Sequence, residues 1–473
     1  MKVLLINPPT SKKGQFIARE DRCENSVINP IPPTGLVYLA SILEEKNHQV
    51  KIIDANGADY SLDFLRKVFL TEKPDYLVIK VAPETFHSDL KVAELCKNIC
   101  KSKIIMICWS LTNLPLDVMN NAKFVDYYII DHYYERVIPE IIDEVRLSSI
   151  EGLAYREEDK IVLNEGSNKF DYNKIKKPNW NLIENFEKYW VQAPVFSPWC
   201  MVISTKGCGM GCIFCTIYDI KPSFRDIKNV VDEVEFLYNK KNINYISFFD
   251  ATFNLNHKRL IAICQEIKSR ELKGLIWFAN IRAGITKEEA TSMYEAGCRG
   301  VSIGIESGSQ QILENAAKGI DINQASNTIK ILKSVGIRQY TSFILGLPGE
   351  TMDTMRMTKE FILNTKPNGF QINSLVPYPR SKIFEIAKQK GLLKDYNFED
   401  LLLYNTPISL SDHLNANQIN MYREKIYKMI YLNPTWWLYN AMEALFNNQE
   451  IKSNLSYSFR LLKRVFQGVK NEV

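Results

Sequence analysis

Three cysteines carry the most distinctive chemistry in this sequence. They lie in Thr205-Lys206-Gly207-Cys208-Gly209-Met210-Gly211-Cys212-Ile213-Phe214-Cys215, a Cys-x3-Cys-x2-Cys spacing. Two glycines between the first two cysteines let a short loop fold around something bulky. Three thiolates can hold three irons of a 4Fe–4S cluster and leave the fourth iron open. A cluster used only for structure or electron transfer would usually close all four positions. An open iron is a place for a substrate or cofactor, by the logic that separates catalytic from structural zinc. A structural zinc would want a fourth Cys or His at short spacing. The nearest candidates, Cys200 and Cys264, form no second Cys-x2-Cys pair.

The elements around this loop follow a strand–helix alternation. Candidate strands Met201–Thr205, Tyr245–Asp250, Leu275–Ile281, Gly300–Glu306, Gln339–Gly346 and Phe370–Tyr378 are separated by helical patterns. Six βα units predict a partial β/α barrel spanning 196–385, with the cysteine loop at the carboxyl end of its first strand, where such barrels place their active sites. Upstream, Val3–Asn7, Val50–Asp54, Tyr76–Val81, Ile104–Cys108 and Tyr127–Ile130 alternate with amphipathic segments. That pattern predicts an α/β, flavodoxin-like doubly wound domain over 1–150, whose ligands would bind at the carboxyl edge of the sheet. Residues 151–195, with a short hairpin and a polar stretch at Lys174–Trp180, read as a linker. Residues 386–473 read as a helical C-terminal region ending in the basic amphipathic stretch Asn454–Val473. Trp436 and Trp437, with Tyr431 and Leu432, are expected to cover the barrel mouth or core.

Composition bounds the setting. The chain has 473 residues, which suggests about three domains. Lys and Arg number 59 against 54 Asp and Glu, a net charge of +5 that is too diffuse to argue for nucleic acid. The start MKVLLINPPT is no secretory signal, and no apolar run reaches the ~18 residues of a spanning helix. The expectation is a cytoplasmic protein in a reducing compartment, where clustered cysteines read as metal ligands. The other seven of the ten cysteines are scattered and read mostly as small buried hydrophobes, with Cys96 and Cys100 four apart on one helix. A membrane-surface contact by the basic terminal helix is a minor alternative.

With Phe214 at the aromatic position, the loop resembles the Cys-x3-Cys-x-aromatic-Cys signature of the radical S-adenosylmethionine (radical SAM) superfamily. The resemblance implies that Cys208, Cys212 and Cys215 ligate the cluster and that SAM binds the open iron. Reduction would then cleave SAM to methionine and a 5′-deoxyadenosyl radical that abstracts hydrogen from a substrate. Strand-end elements extend the match. Phe249-Asp250-Ala251-Thr252-Phe253 resembles a Phe-x-Asp-Asp-x-Phe element with Ala251 in place of the second Asp. The resemblance gives Asp250 the SAM amine, Arg282 the SAM carboxylate, and Glu306 and Ser307 of Gly304-Ile305-Glu306-Ser307-Gly308 the ribose or the amino-acid end. Gly346 and Pro348, in Gly346-Leu347-Pro348-Gly349-Glu350-Thr351, would pack near adenine. Each has a plainer alternative: a cap or turn for Asp250 and Ser307, a salt bridge for Arg282, a simple turn for Gly346–Pro348.

The domain order resembles the branch with an N-terminal cobalamin-binding-like domain, on Asn7-Pro8-Pro9, Pro33-Thr34-Gly35-Leu36 and Ile53-Asp54-Ala55-Asn56. Two departures matter. Glycines expected after the fourth and fifth strands, where a cofactor tail would lie, are replaced in Cys108-Trp109-Ser110 and Asp131-His132-Tyr133. Trp109 and Tyr133 would fill the slot. Two alternatives stand: a domain that holds cobalamin, and one that keeps the fold without it. His132 reads as a surface or satisfied histidine before a ligand or base. The expected function is a radical SAM enzyme that abstracts hydrogen from a small-molecule or lipid-like substrate, fed by an electron donor such as flavodoxin or ferredoxin. The alternative is a cobalamin-dependent methyltransferase acting on an unactivated carbon or phosphorus. An alternative of another class is an iron–sulfur redox module without SAM cleavage. No nucleic-acid partner is expected. The substrate and the hydrogen-donating or quenching residue are not written in the sequence, and the cluster implies oxygen sensitivity.

Overall fold

The computed structural model describes residues 1–10, 14–20, 26–27, 29–158, 160–183, 186–191, 197–393, 398–400, 408–436 and 438. Trp437 and the stretch Asn454–Val473 lie outside the described residues. Two seven-stranded sheets organise the described residues.

In the first sheet, Gln49–Asp54, Lys2–Asn7, Tyr76–Lys80, Lys103–Ile107 and Tyr127–Ile129 run parallel in that spatial order. Lys2–Asn7, Tyr76–Lys80 and Lys103–Ile107 are near-continuous apolar runs because helices cover both faces, while the edge strand Gln49–Asp54 exposes Gln49 and Lys51. Leu4 and Ile6 pack with helices Leu62–Glu72, Phe86–Cys100 and Pro115–Asn121, while Val3 and Leu5 face the opposite way, toward helices Thr34–Glu45 and Tyr134–Ile142. The hairpin expected inside the linker is instead part of this sheet: Leu153–Glu157 pairs antiparallel with Tyr127–Ile129, and Lys160–Leu163 extends it.

The second sheet carries six parallel strands in sequential order: Ser197–Val202, Tyr245–Phe248, Ile276–Ile281, Cys298–Glu306, Arg338–Leu345 and Gly369–Ser374. The short strand Trp190–Val191 pairs antiparallel at one edge. This is the expected partial (β/α)6 barrel. Side-chain caps start the intervening helices: Asn256, Thr286, Asp321, Thr351 and Ser381 each accept a first-turn backbone N–H. At the other edge, Tyr427 of helix Ala416–Tyr431 uses its hydroxyl to accept from Ile372 N and to donate to the Ile372 carbonyl. Phe370 stacks on Tyr427 and Tyr431, and buried Trp436 meets it edge-on, so this helix covers an otherwise open strand edge.

The two sheets share one interior. Helix Thr34–Glu45 has ten of its twelve residues buried, because the first sheet covers one side and the barrel the other. Cys96, Cys200, Cys264 and Cys298 are buried, as expected of bland cysteines. No helix among the described residues is long and apolar enough to cross a membrane.

Candidate functional site

The three cysteines occupy an excursion from a two-stranded stem. Thr205–Lys206 pairs antiparallel with Ser223–Phe224, and the chain between them forms the loop. Gly207, Gly209 and Gly211 all have positive φ, at +87°, +64° and +83°. A Cβ at Gly207 would sit 2.5 Å from the Lys221 carbonyl, so only glycine fits that crossing. Cys208 N donates to the Ile220 carbonyl and Gly211 N to the Tyr218 carbonyl, which anchor one side of the loop. Ile213 N reaches across to the Ala316 carbonyl. Cys212 is buried and Cys208 and Cys215 are half-buried. Among the described residues no three Cys, His, Asp or Glu side chains converge where a single metal ion would sit.

Asp250 is fully buried, and its carboxylate is directed to the loop stem. It accepts from Ser204 N at 2.7 Å, Thr205 N at 3.1 Å and the Ser204 hydroxyl at 2.5 Å. Burial pushes its pKa up, against the lowering effect of those donors. The geometry thus matches the plainer alternative, a turn-fixing residue, placed behind the cysteines. Two residues on, the Thr252 hydroxyl lies 3.7 Å from the Cys208 thiol.

Arg282 ends the third barrel strand. Its backbone is pinned to Asn254 by reciprocal bonds of 2.8 and 2.9 Å, and its guanidinium donates to the Lys318 carbonyl. A cavity of about 200 Å³ joins Arg282, Asn254, Thr252 and His257 to Met210 of the cysteine loop. Glu306 ends the fourth strand at a bulge, with φ at +74°. Its carboxylate folds back beside Gly304 and accepts from the Lys318 ammonium at 2.8 Å. The same ammonium lies 5.8 Å from the centroid of the Phe214 ring. Phe214, Arg282, Glu306 and the cysteine loop therefore meet around a residue the sequence reading did not single out, Lys318.

Ser307 directly follows Glu306, and Leu347, between Gly346 and Pro348, packs in one apolar cluster with Ile213 and Phe214 of the cysteine loop. Ser307 is buried in its turn, accepting from Ser309 N and facing the Thr358 hydroxyl. The Gly346 carbonyl accepts from Leu410 N, and the Pro348 carbonyl from Asn315. Glu350 turns back on the same loop to accept from Gly346 N and the Thr354 hydroxyl.

Comparison with known proteins fits this arrangement. The Radical SAM superfamily domain matches residues 202–362. Over 445 residues the chain is 30% identical to the uncharacterized methyltransferase PH0819 of Pyrococcus horikoshii, covering 92% of this chain and 93% of that one. It is 26% identical to the anaerobic magnesium-protoporphyrin IX monomethyl ester cyclase of Rubrivivax gelatinosus, covering 93% and 79%. The fold is similar to that of the radical SAM methyltransferase TsrM from Kitasatospora setae, a structure with cobalamin and a 4Fe–4S cluster bound. The TM-score is 0.67 at 18% identity, covering 83% of this chain and 76% of that one. From the cysteine loop, the barrel and a relative matched over nearly its whole length, the chain is a radical SAM enzyme working with a 4Fe–4S cluster and SAM, and it belongs to the branch with an N-terminal cobalamin-binding-like domain.

Proposed function

We propose that this enzyme is a radical SAM methyltransferase acting on a small molecule, with SAM as the source of the methyl group. The observation that carries the site is the glycine-propped three-cysteine loop beside a cavity that also exposes Arg282. The full-length relative named as a methyltransferase favours methyl transfer over hydrogen abstraction as the final outcome. The donor set fits a 4Fe–4S cluster, since each of Cys208, Cys212 and Cys215 would take a different iron and need not converge on one point. When bound and reduced, the cluster supplies the electron that cleaves the SAM sulfonium.

The remaining roles fall to protein groups. Arg282 is the cation for the SAM carboxylate, because a guanidinium pairs with a carboxylate bidentately. Glu306, held by Lys318, is the acceptor for ribose hydroxyls, and the Phe214 ring fixes the Lys318 side of the site. Asp250 positions the loop stem. Cobalamin does not fit the residues at the carboxyl edge of the first sheet, where Trp109 and Tyr133 are buried side chains. That observation favours a second reading, hydrogen abstraction followed by a non-methylating outcome.

The test uses anaerobically reconstituted protein, dithionite and SAM. Wild type is expected to form 5′-deoxyadenosine and Cys212→Ala none. On adding a small-molecule acceptor fraction, S-adenosylhomocysteine is expected to accumulate. Absence of 5′-deoxyadenosine from cluster-loaded wild type would sink the assignment. Deoxyadenosine without S-adenosylhomocysteine, whatever the acceptor fraction, would replace methyl transfer by the second reading.

A further inference from the structure

In an open parallel sheet, ligands enter at the carboxyl ends of the strands. At the fourth and fifth strands of the first sheet, side chains close that edge. Trp109 follows Lys103–Ile107 and is 4% exposed; His132 and Tyr133 follow Tyr127–Ile129 and are 2% and 1% exposed. Their rings pack as one wedge, with centroids 4.2 Å apart for Trp109–His132 and 5.0 Å for His132–Tyr133. The barrel seals the wedge. The Arg380 guanidinium lies 4.6 Å from the Trp109 ring centroid. Arg380 also donates to the Thr216 carbonyl and the Asp219 carboxylate, just beyond the third cysteine. Backbone without Cβ atoms admits a bulky ligand closely; three aromatic rings in a close-packed interior leave it no room.

The wedge also holds the cysteine loop. The Tyr133 hydroxyl lies within hydrogen-bond reach of the Lys206 and Lys221 carbonyls, at 3.4 and 3.2 Å. Those two residues stand on either side of the cysteines. Two positions further on, Glu135 receives the Lys206 ammonium on both oxygens, at 2.8 and 2.9 Å, with both side chains buried. That ammonium lies 4.2 Å from the Tyr134 ring centroid. The edge that could cradle a cofactor tail thus grips both ends of the loop.

We infer that this closed edge works as a dry clamp on the three-cysteine loop, through Tyr133 and Glu135, and holds no cobalamin. The clamp rests on the reading of that loop as the cluster site; the exclusion of cobalamin rests on the wedge alone. Tyr133 and Glu135 are then positioning residues for the cluster.

The test takes the full chain from cells supplied with hydroxocobalamin, reconstitutes the cluster anaerobically, and records the ultraviolet–visible spectrum after gel filtration and cyanide extraction. No dicyanocobalamin bands are expected; cobalamin that co-elutes in proportion to protein overturns the inference. This is decided without any turnover, so it is separable from a failure of the methyltransferase reading. For the clamp, Tyr133→Phe and Glu135→Gln are compared with wild type. Both should shift the cluster reduction potential and slow 5′-deoxyadenosine formation by about tenfold to a hundredfold, the scale on which a displacement of about 1 Å acts. Tyr133→Phe should lower the urea midpoint only slightly, as the loss of one neutral hydrogen bond does. Wild-type potential and rate in both variants would overturn the clamp.

Discussion

Lys318 belongs to no motif, yet three site residues meet on it: Glu306 and Phe214 through its ammonium, Arg282 through its carbonyl. Removing one member of a buried ion pair strands the other charge. Lys318→Met is therefore expected to destabilise the fold by about 3 kcal/mol, and Lys318→Met with Glu306→Gln by less than the sum of the singles. Urea unfolding of the four-member cycle checks this, and additive losses would refute the coupling. Glu306 offers a separate comparison, because its φ of +74° disfavours any residue with a Cβ. Glu306→Gly and Glu306→Ala both lose the carboxylate, but only alanine keeps the backbone strain. The glycine variant should be more stable by about 1 kcal/mol, and equal midpoints would argue that the strain is absorbed elsewhere. The sequence singles out the cysteines, Phe214, Arg282 and Glu306 because each lies in or just beyond a strand end, and the structure brings Phe214, Arg282 and Glu306 together on Lys318. Lys318 and Glu135 are not singled out, because their partners are set by tertiary register alone. For Asp250 and Ser307 the sequence leaves a turn and a ligand contact side by side, since both are held by the same side-chain chemistry, and the structure shows the turn bonds of each.

At the scale of elements, the loop from Gly346 to Thr351 ties the fifth barrel strand to the helix that follows. Glu350 is buried inside it, and burial pushes its pKa from the ordinary 4.5 to about 7, although the Thr354 hydroxyl and Gly346 N–H pull it down. The native state then holds this proton more tightly than the unfolded chain. Its contribution is full below pH 4.5 and is lost as pH rises through about 7. The loss approaches ~3 kcal/mol once the carboxyl ionises. Glu350→Gln keeps an acceptor for Gly346 N–H and does not titrate. Its melting temperature relative to wild type is expected to climb between pH 5 and pH 8, and a flat difference across that range would show that Glu350 does not titrate there. The elements themselves were largely legible: buried parallel strands give continuous apolar runs, and amphipathic helices interrupt them. The hairpin Leu153–Glu157 and Lys160–Leu163 was visible as a hairpin. Its pairing with Tyr127–Ile129 was not, because alternation along a strand says nothing of which edge it joins.

For the whole molecule, a charged network crosses between the two sheets. Arg225 and Glu233, both fully buried, meet at 2.6 Å. Tyr38, from helix Thr34–Glu45, bonds to both and accepts from Ile203 N, while Trp180 donates to Glu233. Burial alone would lower the Arg225 pKa, but Glu233 beside it more than reverses that, so the guanidinium stays charged. This network sits inside an apolar cluster that runs from Val3 and Leu36 to Ile246 and Ile303 without a break between the sheets. A shared core of this kind predicts that the sheets unfold together, although the chain is long enough for separate domains. Far-ultraviolet circular dichroism and tryptophan fluorescence should give superimposable urea curves for wild type. Glu233→Ala leaves Arg225 charged and buried, and should cost about 3–5 kcal/mol. Tyr38→Phe removes one hydroxyl from the network and should cost about 1–3 kcal/mol. Two resolved transitions in wild type would overturn the shared core, and a Glu233→Ala variant as stable as wild type would mean that the buried charges add nothing to it.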